Sequence, residues 1–350
     1  MVAVIVQRKP LISAIFLGSL MYFLFFHVLT ANTHASKISY AETDTVSKIP
    51  SKNAETYTVG KKESKNEDLQ LDASLCEHGN MPFTLSSLKS ELPAFLQVYE
   101  RRLDAKNKGG STFFHQFYLW CVIRALKPLH IIESGAWKGL GTLIMRQAAP
   151  EAQLIVVSPA HPGTYVDKHS NSVYLTDDKF VDFTKVRWDE MDLNKERTLV
   201  FFDCHQAGIR RIREAAARGF RHVMFDDNYG GDAGDNFSLK KTCDLQTPNL
   251  EWLDNFKRIK RPLSTDERKR LRAEFLVTAD GYYEFPPIWA GDNRMMLPQK
   301  APLLSESEYK ELISPYFTTE YRNYFSSNYT YINYVHIRLN PGPPEEGARA

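Results

Sequence analysis

Apolar residues fall into three regimes along this chain. From Leu11 to Ala31 they run without a single Asp, Glu, Lys or Arg (LISAIFLGSLMYFLFFHVLTA). At about 1.5 Å per residue, a helix of that length spans roughly 30 Å, the thickness of a membrane's hydrocarbon core. Arg8 and Lys9 precede the run. The positive-inside rule therefore puts residues 1–10 in the cytosol and the rest of the chain across the membrane, on an uncleaved signal anchor at 11–31. The competing reading is a cleaved signal peptide, but Thr33-His34-Ala35 is a poor cleavage site and the apolar core is longer than such peptides carry. Either way, the chain that follows enters the secretory lumen. The second regime, 32–75, is rich in Ser, Thr, Lys, Glu and Asn and holds no Phe or Trp. It has too little apolar surface to pack and reads as a flexible stem.

The third regime, 76–340, is one large domain. Leu85–Leu103 and Phe113–Leu126 show helical spacing, and Pro128 closes the second. Short continuous apolar runs then recur at His130–Glu133, Gln153–Val157, Thr198–Asp203 and His222–Asp226. Between them lie helical patterns at Leu140–Gln147 and through Ile209, Ile212 and Ala216, the latter capped by Gly219. Continuous apolar strands alternating with amphipathic helices predict an α/β fold, a Rossmann-like doubly wound and mostly parallel sheet covered on both faces. Tyr331–Leu339 alternates as a final strand. Tyr282–Trp289 reads either as a loop over a site or as core. Residues 341–350, rich in Pro, Gly and Glu, read as a disordered tail.

Composition changes this picture little. A net charge of +2 over 350 residues gives no basic field for nucleic acid. Aromatics make up 12% of the chain, with many after residue 280; they are either ordinary core or a surface for sugar rings. Cys76, Cys121, Cys204 and Cys243 show no zinc spacing. Cys121 belongs to an apolar helical stretch and reads as a buried thiol, while a Cys76–Cys243 bridge would suit a lumenal address. Asn236-Phe-Ser and Asn328-Tyr-Thr are glycosylation sequons.

Two groups of residues carry chemistry. The first is IIESGAWKGLGT, Ile131–Thr142, a strand-to-helix turn with glycines at 135, 139 and 141. Such a turn lets backbone come close to a ligand and points helix N–H groups at it. The second pairs Asp203-Cys204-His205 with Asp226-Asp227-Asn228-Tyr229, at the ends of two successive strands. Ligands of parallel sheets bind outside the carboxyl ends of strands. Neighbouring strands are about 4.8 Å apart, so carboxylates there can converge on one hard cation such as Mg²⁺. His205, with an ordinary pKa near 6.5, is either a general base or a group that orients Asp203 or caps the helix.

Glu133-x-Gly135-x-x-x-Gly139 resembles motif I of the class I S-adenosylmethionine (SAM) dependent methyltransferases. The stretch ESGAWKGLGTLIMR is similar to the macrocin O-methyltransferase group, which has the same Glu, Gly and Trp-basic-Gly run. The resemblance implies a SAM site at Glu133, Gly135, Trp137, Gly139 and Thr142, with the glycines making room for the methionine part. The second group resembles the metal-dependent O-methyltransferases, catechol O-methyltransferase among them. There an Asp after the fourth strand and an Asp-Asn pair after the fifth bind Mg²⁺. By position these are Asp203, Asp227 and Asn228; Asp226 either supports them or replaces Asp227 as ligand. The resemblance covers roughly residues 112–245. It departs at Ser158, where many relatives carry an acidic residue for the ribose; Ser158 would hydrogen-bond the ribose in its place, more weakly. The last strands of that fold form an antiparallel hairpin at the sheet edge, as Tyr331–Leu339 would.

The expectation is a SAM- and metal-dependent O-methyltransferase of the Golgi or endoplasmic reticulum, acting on a hydroxyl of a glycan or small polyhydroxy compound. The rivals are a glycosyltransferase, which would want an Asp-x-Asp that Asp226-Asp227 does not supply, and a binding module on a decayed methyltransferase fold.

Overall fold

The described residues are 83–101, 110–231, 233–254, 259–289, 302–316 and 332–338 of a computed structural model, all within the unit Glu67–Ala350. The Leu11–Ala31 run, the stem, Cys76, the Asn328 sequon and the tail lie outside them. Among the described residues, no helix is long and apolar enough to cross a membrane.

Two helices, α1 (Leu85–Ser90) and α2 (Leu92–Glu100), stand where the pattern predicts one. Pro93, in the first turn of α2, explains the break. Proline lacks an N–H, and its ring crowds the carbonyl four residues back, so it is accepted at a helix start and not mid-helix. Helix α3 (Phe113–Leu126) is buried continuously from Phe113 to Ile123, the place for a helix apolar on all sides. It ends on Lys127 in the left-handed conformation, φ 47°, just before Pro128.

There follow β1 (His130–Ser134), α4 (Leu140–Ala148), β2 (Gln153–Ser158), β3 (Ser172–Thr176), β4 (Thr198–Phe202), α5 (Gly208–Ala216), β5 (His222–Phe225) and α6 (Leu239–Cys243). A separate hairpin of β6 (Glu251–Asp254) and β7 (Ile259–Pro262) precedes α7 (Thr265–Thr278), β8 (Ala279–Glu284), α8 (Glu306–Leu312) and β9 (Asn333–Ile337). The main sheet runs β3-β2-β1-β4-β5-β9-β8. Strands β1 to β5 are mutually parallel, and β9 is antiparallel to both β5 and β8. The mostly parallel doubly wound sheet expected from the sequence is therefore present, closed by an antiparallel pair. Gly219, φ 78°, ends α5 as expected.

Strand pleating sends successive side chains to opposite faces, and each face has its own core. Ile131, Leu154, Leu199, Phe201 and Met224 pack with α1–α4 around Phe95, Phe117 and Phe285. Ile132, Ile155, Val200, Phe202 and Val223 pack with α5 and α7 around Ile209, Ile212 and Phe275. Phe285 and Ile288 are buried, so Tyr282–Trp289 contributes core. Strand β3, the short 3₁₀ turns after it, the β6–β7 hairpin and α7 had no clear signal in the sequence pattern.

Candidate active site

All five parallel strands end at one edge of the sheet, which gathers the turns after β1, β2, β4 and β5. The turn after β1 is built on two left-handed glycines, Gly135 at φ 99° and Gly139 at φ 84°. Gly135 N–H donates to Val157 O at 2.9 Å, and Asp203 N–H donates to Ser134 O at 2.8 Å. These bonds draw the end of β4 against the turn. A Cβ on Gly135 would lie 2.7 Å from the carbonyl carbon of Asp203, and one on Gly139 would lie 3.0 Å from that of Tyr165. A Cβ on Gly141 would strike the Glu133 carboxyl. The glycines thus have protein neighbours of their own, beyond the room for a cofactor that the motif implies. Substituting Gly135 would disturb the fold itself as well as ligand binding.

Glu133 is buried, and Thr142 Oγ1 donates to its carboxyl. Burial pushes its pKa up to about 8 against the bonds from Thr142, so it is a neutral acid at physiological pH. Ser158 is buried at the end of β2, in register with Thr176. Trp137, at φ 42°, is 61% exposed beside the turn.

The second group of residues follows β4 and β5. Asp203, His205 and Asp227 converge, each offering one ligand atom within 4.8 Å of the others. His205 takes a left-handed φ of 50°. Its Nδ1 lies 2.9 Å from Asp227 Oδ2 and 3.2 Å from Asp235 Oδ1. The contact with Asp227 is an ion pair at hydrogen-bonding distance, and apart from it both Asp227 oxygens are buried without a partner. Asp227 and Asp235 push the His205 pKa up to about 12. Burial, then Asp226 and Asp227, push that of Asp203 well above the carboxylate range. Two crowded carboxylates and an imidazole, with orphaned oxygens facing inward, are a donor set that fits a divalent cation.

Two expected roles meet other contacts here. Asp227 and Asp235 favour the protonated form of His205, which works against a general-base role in this arrangement. The Asn228 amide is engaged elsewhere. Its Oδ1 accepts from Lys240 N at 2.9 Å and its Nδ2 donates to Tyr282 Oη at 2.8 Å, so its amide ties α6 to β8. His205 joins Asp203 and Asp227 in the converging group. Asp226 falls outside the converging group: it is buried, with Oδ1 2.8 Å from His115 Nδ1 and Oδ2 without a hydrogen-bond partner. Asn236 is 5% exposed and its Nδ2 donates to Asp227 O at 3.3 Å; a glycan there is incompatible with this fold. Cys243 is disulfide-bonded, and Cys121 and Cys204 are free thiols. The other half of the expected Cys76–Cys243 bridge lies outside the described residues.

No protein-family model matches the chain, and no curated protein matches it. Solved structures that it resembles include O-methyltransferases and other methyltransferases. The O-methyltransferase from Bacillus cereus in complex with SAH is 11% identical, with a TM-score of 0.34 over 74% of this chain and 93% of that one. The SAH-bound Podospora anserina methyltransferase PaMTH1 is 12% identical, with a TM-score of 0.34 over 81% and 100%. The O-methyltransferase TomG from Streptomyces achromogenes, in complex with SAM, is 11% identical, with a TM-score of 0.32 over 72% and 89%. At such scores the fold reading rests on this chain's own strand order and not on the likeness.

Thr112 and His115 were not singled out in the sequence. His115 touches Asp226, so the start of α3 stands at the same edge as the acidic group. Thr112, the residue before α3, makes no side-chain cap bond, and its buried Oγ1 has no hydrogen-bond partner. A hydroxyl of that kind at the start of a 14-residue helix fits a carboxylate. The polar pair His115-Gln116 inside FFHQFYLWCVI was the available signal: two polar side chains in an apolar helix need buried partners.

Proposed function

We propose that this protein is an O-methyltransferase that uses SAM and a divalent cation, Mg²⁺ in the first instance. Its acceptor is a hydroxyl on a glycan or small polyhydroxy compound. The observation that carries the reading is the convergence of Asp203, His205 and Asp227 beside the glycine turn, with both Asp227 oxygens orphaned. SAM supplies an electrophilic methyl group, and a divalent cation lowers the pKa of a hydroxyl bound to it. Asp203 and Asp227 would hold the cation, with His205 as a third donor once it gives up its proton. Gly135 and Gly139 keep the turn open at the backbone, Thr142 orients Glu133, and Ser158 offers a hydroxyl to a ribose. Thr112 and the start of α3 would take the carboxylate of the cofactor. Asp235 holds His205 against Asp227 and narrows the approach from solvent.

The domain is proposed to work in the Golgi or endoplasmic-reticulum lumen, tethered by Leu11–Ala31. The disulfide at Cys243 supports an oxidising compartment. Protease added to intact microsomes should spare the domain; digestion without detergent would remove that part of the reading. The activity is tested by calorimetry with SAM and with UDP-sugars, then by methyl transfer with Mg²⁺ titrated after EDTA. SAM binding and Mg²⁺-dependent transfer are expected. Binding of a UDP-sugar in place of SAM would make the protein a glycosyltransferase, and full transfer in EDTA would remove the cation.

A further inference from the structure

Beneath the candidate metal site lies a second, fully enclosed pair. His115 Nδ1 is 2.8 Å from Asp226 Oδ1, and the two side chains are 2% and 1% exposed. Burying a carboxylate is costly unless it is paired, so this contact fixes Asp226 against α3. The backbone of Asp226 is fixed as well, its N–H donating to Phe202 O at 3.0 Å. On the far side of Asp227, the Asn228 amide is held by Lys240 N and Tyr282 Oη. The Asp227 carbonyl accepts from Asn236 Nδ2. The groups around Asp227 are therefore held, while of its own carboxylate oxygens Oδ2 meets only the His205 ion pair at 2.9 Å and Oδ1 has no partner. That pattern suits a carboxylate kept ready for a cation.

We infer that His115 is a positioning residue for the metal site, holding Asp226 and through it the turn that presents Asp227. The inference rests on the metal reading above. It assigns a function to a histidine through its contact with Asp226. Charge effects and positioning predict opposite outcomes when His115 is lost. Removing a potential cation leaves the site no less negative, so electrostatics alone would keep or raise the affinity for a divalent ion. Loss of positioning would lower it. Helix α3 itself does not depend on His115, because Phe113 and Phe117 pack against Phe95.

The test is Mn²⁺ titration followed by electron paramagnetic resonance, on full-length protein in detergent, with SAM calorimetry on the same samples. In His115→Leu, Mn²⁺ affinity is expected to fall about 10- to 100-fold, the usual cost of losing a group that orients a ligand, with SAM affinity retained. His115→Asn, which returns an N–H near the place of Nδ1, is expected to recover most of the loss. His115→Leu leaves a buried carboxylate unpaired and can fail to fold. In that event Asp226→Asn is compared with His115→Leu/Asp226→Asn, two proteins with the same charge at 226; the double variant should bind Mn²⁺ more weakly. Equal affinity in that comparison, wild-type Mn²⁺ affinity in a folded His115→Leu, or a parallel loss of SAM and Mn²⁺ that His115→Asn does not rescue, would overturn the inference alone. Wild-type protein that takes up no Mn²⁺ would overturn the metal reading and the inference together.

Discussion

Replacing Gly135 by alanine should destabilise the fold far more than the same change at other loop glycines. Three positions separate the causes. Gly163 has open space around a Cβ and no left-handed φ, Gly231 has open space at φ 57°, and Gly135 combines φ 99° with a Cβ 2.7 Å from the Asp203 carbonyl carbon. Alanine at 163 restricts the unfolded chain and should be neutral or stabilising by up to about 1 kcal/mol. At 231 the left-handed conformation costs about 1–2 kcal/mol, partly offset by that same gain. At 135 the backbone strain is about 1–3 kcal/mol, and overpacking adds about 1–3 kcal/mol. The neighbour cannot step aside, because Asp203 N–H is bonded to Ser134 O and Gly135 N–H to Val157 O. The net expectation is a loss of about 2–5 kcal/mol, or roughly 5–15 °C in Tm for a domain of this size. Urea and thermal unfolding of the three SAM-free variants measure this directly. A Gly135→Ala protein that melts with the wild type would show that the turn is not packed on β4 as described.

Arg211 is buried and bonds to Asp182 at 2.8 Å and Glu214 at 2.6 Å; Arg211→Met should cost about 3–5 kcal/mol by stranding those carboxylates. Burial raises the pKa of Asp182, but the bonds and charge of Arg211 outweigh it and hold the group below its ordinary value. That contribution is present above the unfolded pKa of about 3.9 and is lost as pH falls through the folded value. The gap between wild type and variant in urea should therefore shrink in acid; an equal gap at pH 7 and pH 3 would refute the pairing. Glu133 behaves in the opposite sense, with a folded pKa of about 8. Its stabilising contribution is complete below about pH 4.3 and is lost as pH rises towards 8. Glu133→Gln should match the wild-type Tm near pH 5 and exceed it near pH 9, and parallel Tm curves would count against a buried neutral acid.

Much of the fold was legible in the residue pattern because it is written in local periodicity. Strands β1, β2, β4 and β5 are buried on both faces, so each appears as a continuous apolar run, and the helices between them show one apolar stripe. Strand β3 carries only partly buried residues apart from Thr176 and leaves no such run. Helix α7 is studded with Arg, Lys and Glu, with Leu271 and Phe275 buried on one side, and charge on the remaining faces hides the stripe. Pro93 was visible, but the apolar spacing around it outweighed its breaking effect in the reading.

Within the site, the sequence by itself determined which groups would stand at the carboxyl edge: Glu133 and Ser158 lie in the last residues of strands, and Asp203 and the Asp226–Asn228 run follow them. Strand ends are set by local pattern, and parallel strands bring all such ends to one edge. The tertiary structure alone decided what those groups do there. Whether Asn228 or His205 joins the two aspartates depends on Lys240, Tyr282 and Asp235, which come from other parts of the chain. The pairing of His115 with Asp226 spans 111 residues, and the protonation of Glu133 and His205 follows from burial and neighbours. Residue type sets which chemistry a side chain is able to perform; its protonation state and partners depend on solvent exclusion and on charges brought close by packing, and only the folded chain fixes those.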